Sequence, residues 1–180
     1  RVAIRAGKLA SATSRIAGKG EGMVVGGRVM LKLAPDAIAD LANGRVAALV
    51  SATNGKTSTT RLLANAAEQR GPVVTAATGA NMTSGVVTTL AAGPPDAMAI
   101  LEVDEAYLPM VTAATKPQVI LLGNLSRDQL DRMNEVAMTA RKWRTMLAAN
   151  PDVTVVANAD DPIVTFAAEQ AQHVVWVGGG

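Results

Sequence analysis

From residue 46 onward, short apolar runs alternate with stretches of helical composition. The apolar runs fall at 46–51, 73–77, 97–103, 118–123, 153–157 and 174–177. The helical stretches fall between them, at 57–69, 84–92, 105–114, 135–149 and 161–170. Gly71-Pro72, Gly93-Pro94-Pro95, Pro117 and Pro151 close four of these helices, because a helix cannot run through a proline and often ends on a glycine. The runs are apolar at nearly every position, as expected for strands covered on both faces. Six strands and five helices in alternation predict an α/β fold, a mostly parallel sheet with flanking helices.

Residues 1–45 break this pattern. They crowd Gly18, Gly20, Gly22, Gly26 and Gly27 into one stretch, which reads as loop. They also hold eight Lys/Arg against three Asp/Glu, in a chain of net charge +2. The expected division is a short basic, Gly-rich leader over 1–45 and a central domain over 46–180. At 180 residues and 49% hydrophobic, the chain has material for a buried core. Aromatics are only 2%, which argues against a nucleic-acid module built on base stacking. There is no Cys, so disulfides, thiolate zinc sites and a cysteine nucleophile are all excluded within it. No apolar run approaches the roughly 18 residues of a membrane span. The chain starts on Arg1 and stops at Gly178-Gly179-Gly180, and reads as part of a longer protein.

In parallel sheets, ligands bind beyond the C-terminal strand ends, and the polar residues cluster there. The strongest group is Thr53-Asn54-Gly55-Lys56-Thr57-Ser58, between the first strand and the first helix. A phosphate loop needs this context: helix N-terminal amides and the helix dipole face the phosphate. Gly55 lets the backbone approach, Lys56 supplies a charge to the β- and γ-phosphates, and the Thr57 hydroxyl reaches Mg²⁺. Val50 stands where the usual pattern has its first glycine. Glu102 ends an apolar strand, the position from which an acid meets Mg²⁺ in such proteins.

Thr53-Asn54-Gly55-Lys56-Thr57 resembles the loop of Mur ligases and folylpolyglutamate synthases, which also lacks that first glycine. Ala52 replaces a glycine usual in those families. Leu101-Glu102-Val103-Asp104-Glu105-Ala106, the run from Asn124 to Arg132, and Asn158-Ala159-Asp160-Asp161-Pro162 resemble the same superfamily. Within it, Glu102–Ala106 followed by Asn124–Arg132 is most similar to MurT-type subunits of lipid II isoglutaminyl synthase, as is the short basic leader. Gln129 stands where most amino-acid-adding members carry a His that serves a second metal, which leaves a second Mg²⁺ site open.

The resemblance implies an ATP-dependent ligase with ATP and Mg²⁺. It would activate the α-carboxyl of D-glutamate in lipid II as an acyl phosphate, for amidation to D-isoglutamine. The ammonia would come from a GatD-type glutamine amidotransferase partner, which fits a chain without Cys. It further implies a four-Cys zinc ribbon and a C-terminal domain with a catalytic Asp beyond Gly180, so no catalytic residue lies within these residues and the chain alone should be inactive. The implied location is the cytoplasm, at or near the inner face of the membrane. An amino-acid-adding Mur ligase, a folylpolyglutamate synthase and a non-catalytic nucleotide-binding module stand as alternatives.

Other residues carry two readings each. Asn81 meets the γ-phosphate or acyl phosphate, or merely forms a turn. Asp104 and Glu105 face the metal or cap the next helix. Asp128 orients the Mg²⁺ shell or caps a helix. Lys142 matches the region of a carbamylated, metal-binding Lys in several Mur ligases, or is an exposed helix Lys. His173, the single His, reads as structural.

Overall fold

The computed structural model describes residues 22–76, 79–126 and 133–179. Two helices lead, α1 (Gly22–Leu33) and α2 (Ala37–Ala42). There follow β1 (Ala47–Ser51), α3 (Lys56–Ala67) with a 3₁₀ turn at Glu68–Arg70, β2 (Val73–Val74), α4 (Thr83–Ala92) and β3 (Met98–Glu102). The chain continues through α5 (Leu108–Thr115), β4 (Val119–Leu122), α6 (Met133–Ala148), β5 (Thr154–Asn158), α7 (Pro162–Ala168) and β6 (His173–Val177). The α/β alternation read from the sequence is therefore present.

The loop reading of the glycine-rich stretch fails from Gly22 onward, while Gly18 and Gly20 lie outside the described residues. Residues 22–33 are helical. The glycines serve packing instead of turning: Gly26 and Gly27 are buried, and a Cβ on Gly27 would lie 1.9 Å from the Ser84 carbonyl oxygen of α4. Here a missing side chain lets two helix backbones close on each other. Met30 and Ile38 from α1 and α2 join the same core as the sheet.

All strand pairs are parallel, in the order β2-β3-β1-β4-β5-β6. The chain winds first to one side of β1 and then to the other, so the crevice beyond β1 is a topological switch point. Every residue of β1 is buried. Successive side chains alternate between faces. Ala47 and Leu49 enter the main core, with Leu90, Leu101, Ile120 and Trp143. Ala48 faces the other way, against Ala64 of α3 and Ile100. Beyond α3, on that second face, Leu121 and Val156 are half-buried while Val175 and Val177 are 51% and 52% exposed. Arg45 ties the entry of β1 to the end of α4: buried, it donates Nη2 to the Leu90 and Gly93 carbonyls at 3.2 and 3.5 Å. Burial lowers the Arg45 pKa, and Asp96 opposes that shift.

The helix expected from Glu105 begins later, at Leu108. Asp104 explains the delay. Its Oδ1 accepts the Ala106 N–H at 3.0 Å, and its carbonyl accepts from Tyr107 and Leu108 N–H at 3.0 and 3.1 Å. That folds residues 104–107 into a turn, and Pro109 then starts the helix.

Candidate functional site

The loop after β1 carries the site. Gly55, at φ 83°, turns the chain in the left-handed region that other residues avoid, and α3 starts at the next residue. The N–H of Thr59 is bonded to the Gly55 carbonyl at 3.0 Å, so the amides of the first turn before it point out of the helix end. Ser58 lies exposed in that turn. A second loop, after β4, braces the first. Thr53 N–H donates to the Asn124 carbonyl at 2.7 Å. Asn54 N–H donates to Asn124 Oδ1 at 3.0 Å, and Asn124 Nδ2 returns a bond to the Asn54 carbonyl at 3.0 Å. Ser126 N–H donates to Thr53 Oγ1 at 3.1 Å. These bonds fix the loop backbone against the second loop.

Glu102 ends β3, beside β1, with 5% exposure. Its Oε2 accepts the Thr57 hydroxyl at 2.8 Å and its Oε1 accepts Asn81 Nδ2 at 3.4 Å. The Asn81 carbonyl in turn accepts Asp104 N–H at 2.9 Å. Gly79 closes the group from above: a Cβ there would stand 3.0 Å from Thr57 Oγ1 and 3.4 Å from Glu102 Oε1. A hydroxyl and a buried carboxylate set side by side offer the hard oxygen donors that Mg²⁺ takes together with waters and phosphate oxygens. Among the described residues no group of three or more His, Cys, Asp or Glu stands ready to hold a metal unaided. The residues present fit Mg²⁺ brought with a phosphate better than a caged ion.

Lys56 bends back on its own loop. Its ammonium donates to the Ala52 and Thr53 carbonyls and to Glu105 Oε2, the last two at 3.2 Å. A cleft of about 430 Å³ opens beside the loop, over the ends of β1, β4, β5 and β6. Asn54, Asn124, Asn158 and Gly178 line it. Asp161 caps α7, accepting from Ile163 and Val164 N–H, and also holds the Leu125 N–H at 2.8 Å.

The fold thus gathers Thr53, Asn54, Gly55, Lys56, Thr57, Asn81 and Glu102, all singled out from sequence, at one strand-end crevice. Asp104 is spent on its own turn. Lys142 is exposed on α6, in a groove with Ala106 and Met110, apart from the Thr57–Glu102 pair. Asp128 and Gln129 lie outside the described residues. Sequence reasoning missed the Glu105–Lys56 pair, the Gly79 slot and the brace from Asn124 and Ser126. Two signals were there: Glu105 as a candidate to face the metal or cap a helix, and Asn124 and Ser126 within the run from Asn124 to Arg132.

Comparison with known proteins places this geometry. The Mur ligase middle domain family matches residues 50–178. Lipid II isoglutaminyl synthase (glutamine-hydrolyzing) subunit MurT of Streptococcus pneumoniae is 33% identical over 149 residues, 80% of this chain and 33% of the relative. The same-named subunit of Staphylococcus aureus is 29% identical over 180 residues, 98% of this chain and 41% of the relative. This chain therefore spans between a third and two fifths of the relatives' length. Among solved structures, MurF from Acinetobacter baumannii superposes with a TM-score of 0.66 at 15% identity, over 88% of this chain and 35% of that one. A UDP-N-acetylmuramoyl-L-alanyl-D-glutamate--2,6-diaminopimelate ligase gives a TM-score of 0.59 at 18% identity, over 88% and 36%. At such identities these two speak for the fold. With the family match running from the end of β1 through β6, well over half of the chain, this chain belongs to the Mur ligase middle domain family.

Proposed function

We propose that this chain is the ATP-binding part of a carboxylate–amine ligase that amidates lipid II. The observation that carries the reading is the 2.8 Å contact of Thr57 Oγ1 with Glu102 Oε2 at the N-terminus of α3, one residue from Lys56. In this reading the first-turn amides, Ser58 and Lys56 bind the triphosphate. Thr57 and Glu102 hold Mg²⁺, which supplies charge neutralisation at the phosphates. Asn81 stands at the γ-phosphate end. The nucleoside takes the cleft beside Asn54, which has room for it at about 430 Å³.

The reaction is phosphorylation of the D-glutamate α-carboxylate to an acyl phosphate. Ammonia then attacks the carbonyl carbon, the C–N bond forms and phosphate leaves with the C–O electrons, giving D-isoglutamine. A GatD-type glutamine amidotransferase partner supplies the ammonia. The names of the two curated relatives support this finer assignment, and so does a chain with no Cys to hydrolyse glutamine by a thiolate. The proposed location is the cytoplasm, at the membrane face that presents the lipid-linked substrate. No helix among the described residues is long and apolar enough to cross a membrane. The division into a leader over 1–45 and a central domain over 46–180 belongs to the same proposal, with zinc and the catalytic Asp assigned to other parts of the protein. Asp128 and Lys142 stay candidates for a second cation.

The test uses the full-length protein with a glutamine amidotransferase subunit. ADP release is expected to require lipid II, Mg²⁺ and either glutamine or ammonium together. Coupling of a free amino acid without the amidotransferase would move the assignment to an amino-acid-adding Mur ligase or a folylpolyglutamate synthase. Nucleotide binding with no ADP release under either condition would leave a binding module.

A further inference from the structure

We propose that Glu105 is the counter-ion that parks Lys56 while no phosphate is bound, and so tunes how tightly the loop takes a nucleotide. This deepens the phosphate-loop reading above and rests on it. A lysine ammonium has three donors and no acceptor. All three are engaged here, by the Ala52 carbonyl, the Thr53 carbonyl and Glu105 Oε2. The paired side chains are only 12% and 19% exposed, so water screens the pair incompletely.

Glu105 is held from outside the loop. Its carbonyl accepts the Trp143 Nε1–H at 3.0 Å, and Trp143 is fully buried in α6. The turn stapled by Asp104 fixes its backbone on the other side. Glu102 and Glu105 therefore divide the loop's polar groups between them. Glu102 takes the Thr57 hydroxyl and Asn81, and Glu105 takes the Lys56 ammonium. A phosphate that claims Lys56 replaces these acceptors and displaces a carboxylate of its own sign. Glu105 is thus a positioning residue that competes with the ligand through Lys56.

The experiment is calorimetry of ATP binding to the full-length protein in excess EDTA, then in Mg²⁺. It uses the unaltered protein, Glu105→Gln, Lys56→Met and the double variant. Glu105→Gln keeps the side-chain shape and is expected to tighten Mg²⁺-free binding by about three- to tenfold, the scale of a partly buried charge pair. In the Lys56→Met background that gain is expected to fall below about twofold, since coupled residues are not additive. An equal gain in both backgrounds would overturn the proposal, because Glu105 would then act on the phosphates directly. Weaker binding in Glu105→Gln, or weakening confined to Mg²⁺, would overturn it too, making Glu105 a ligand of the nucleotide or its cation. Failure of the phosphate-loop reading looks different: Lys56→Met would bind ATP as the unaltered protein does.

Discussion

A methyl group added at Gly79 would meet both side chains of the Thr57–Glu102 pair. Gly79→Ala is expected to raise the Mg²⁺ needed for half-maximal nucleotide binding about tenfold, or ~1.4 kcal/mol, with the fold intact. A titration of ATP affinity against Mg²⁺ reads this directly. Glu102→Ala should flatten the same titration while leaving Mg²⁺-free binding in place. Lys56→Ala is expected to weaken ATP binding by about 2–5 kcal/mol, the range for removing one partner of a desolvated charge pair; unchanged calorimetric affinity would remove the phosphate-loop assignment. At this scale, legibility followed chain distance. Thr57 and Lys56 share one motif, and Glu102 closes an apolar run, so sequence alone marked them. Glu105 stays open between facing the metal and capping a helix, because its partner sits 49 positions earlier and its anchor, Trp143, 38 positions later.

Helices α1 and α5 carry two element-scale tests. In α1, a Cβ at Gly27 collides with backbone, not with a side chain that can swing away. Gly27→Ala is expected to cost about 1–3 kcal/mol, the scale of an overpacked contact, read as a lowered urea midpoint. The glycine stretch misled the sequence reading for the same reason. Glycine marks both turns and close helix contacts, and only the partner helix tells them apart. In α5, Lys116 closes the helix at φ 46°, the single positive φ outside glycine among the described residues. Lys116→Gly is expected to stabilise the chain by roughly 0.5–1 kcal/mol, since glycine adopts this C-terminal turn without steric cost. A lower midpoint would mean that the Lys116 stem packs more firmly than its exposure implies.

Across the whole molecule, the strand alternation was legible because each parallel strand is an uninterrupted apolar run and Gly or Pro closes most helices. Strand order was not, since no local pattern tells β1 that it lies between β3 and β4. Coverage of the sheet was not legible either. Apolar runs predict two covered faces, yet Val175 and Val177 on β6 stay half in solvent, on the same face as α3 but beyond its reach. The 180-residue chain on its own is expected to bind a hydrophobic dye there. Val175→Lys should cut the dye fluorescence severalfold; equal signal in both would place the dye elsewhere.

The hydrogen bond from Trp143 to the Glu105 carbonyl has an optical consequence. The chain holds two tryptophans, and they sit in opposite surroundings: Trp143 is at 0% exposure and Trp176 at 44%. Acrylamide should quench Trp176 and spare Trp143, leaving a blue emission from a single indole. That indole touches the residue whose carboxylate grips Lys56. If a phosphate draws Lys56 away from Glu105, the field at the ring should change, and Trp143 emission on ATP titration is expected to report it without a label.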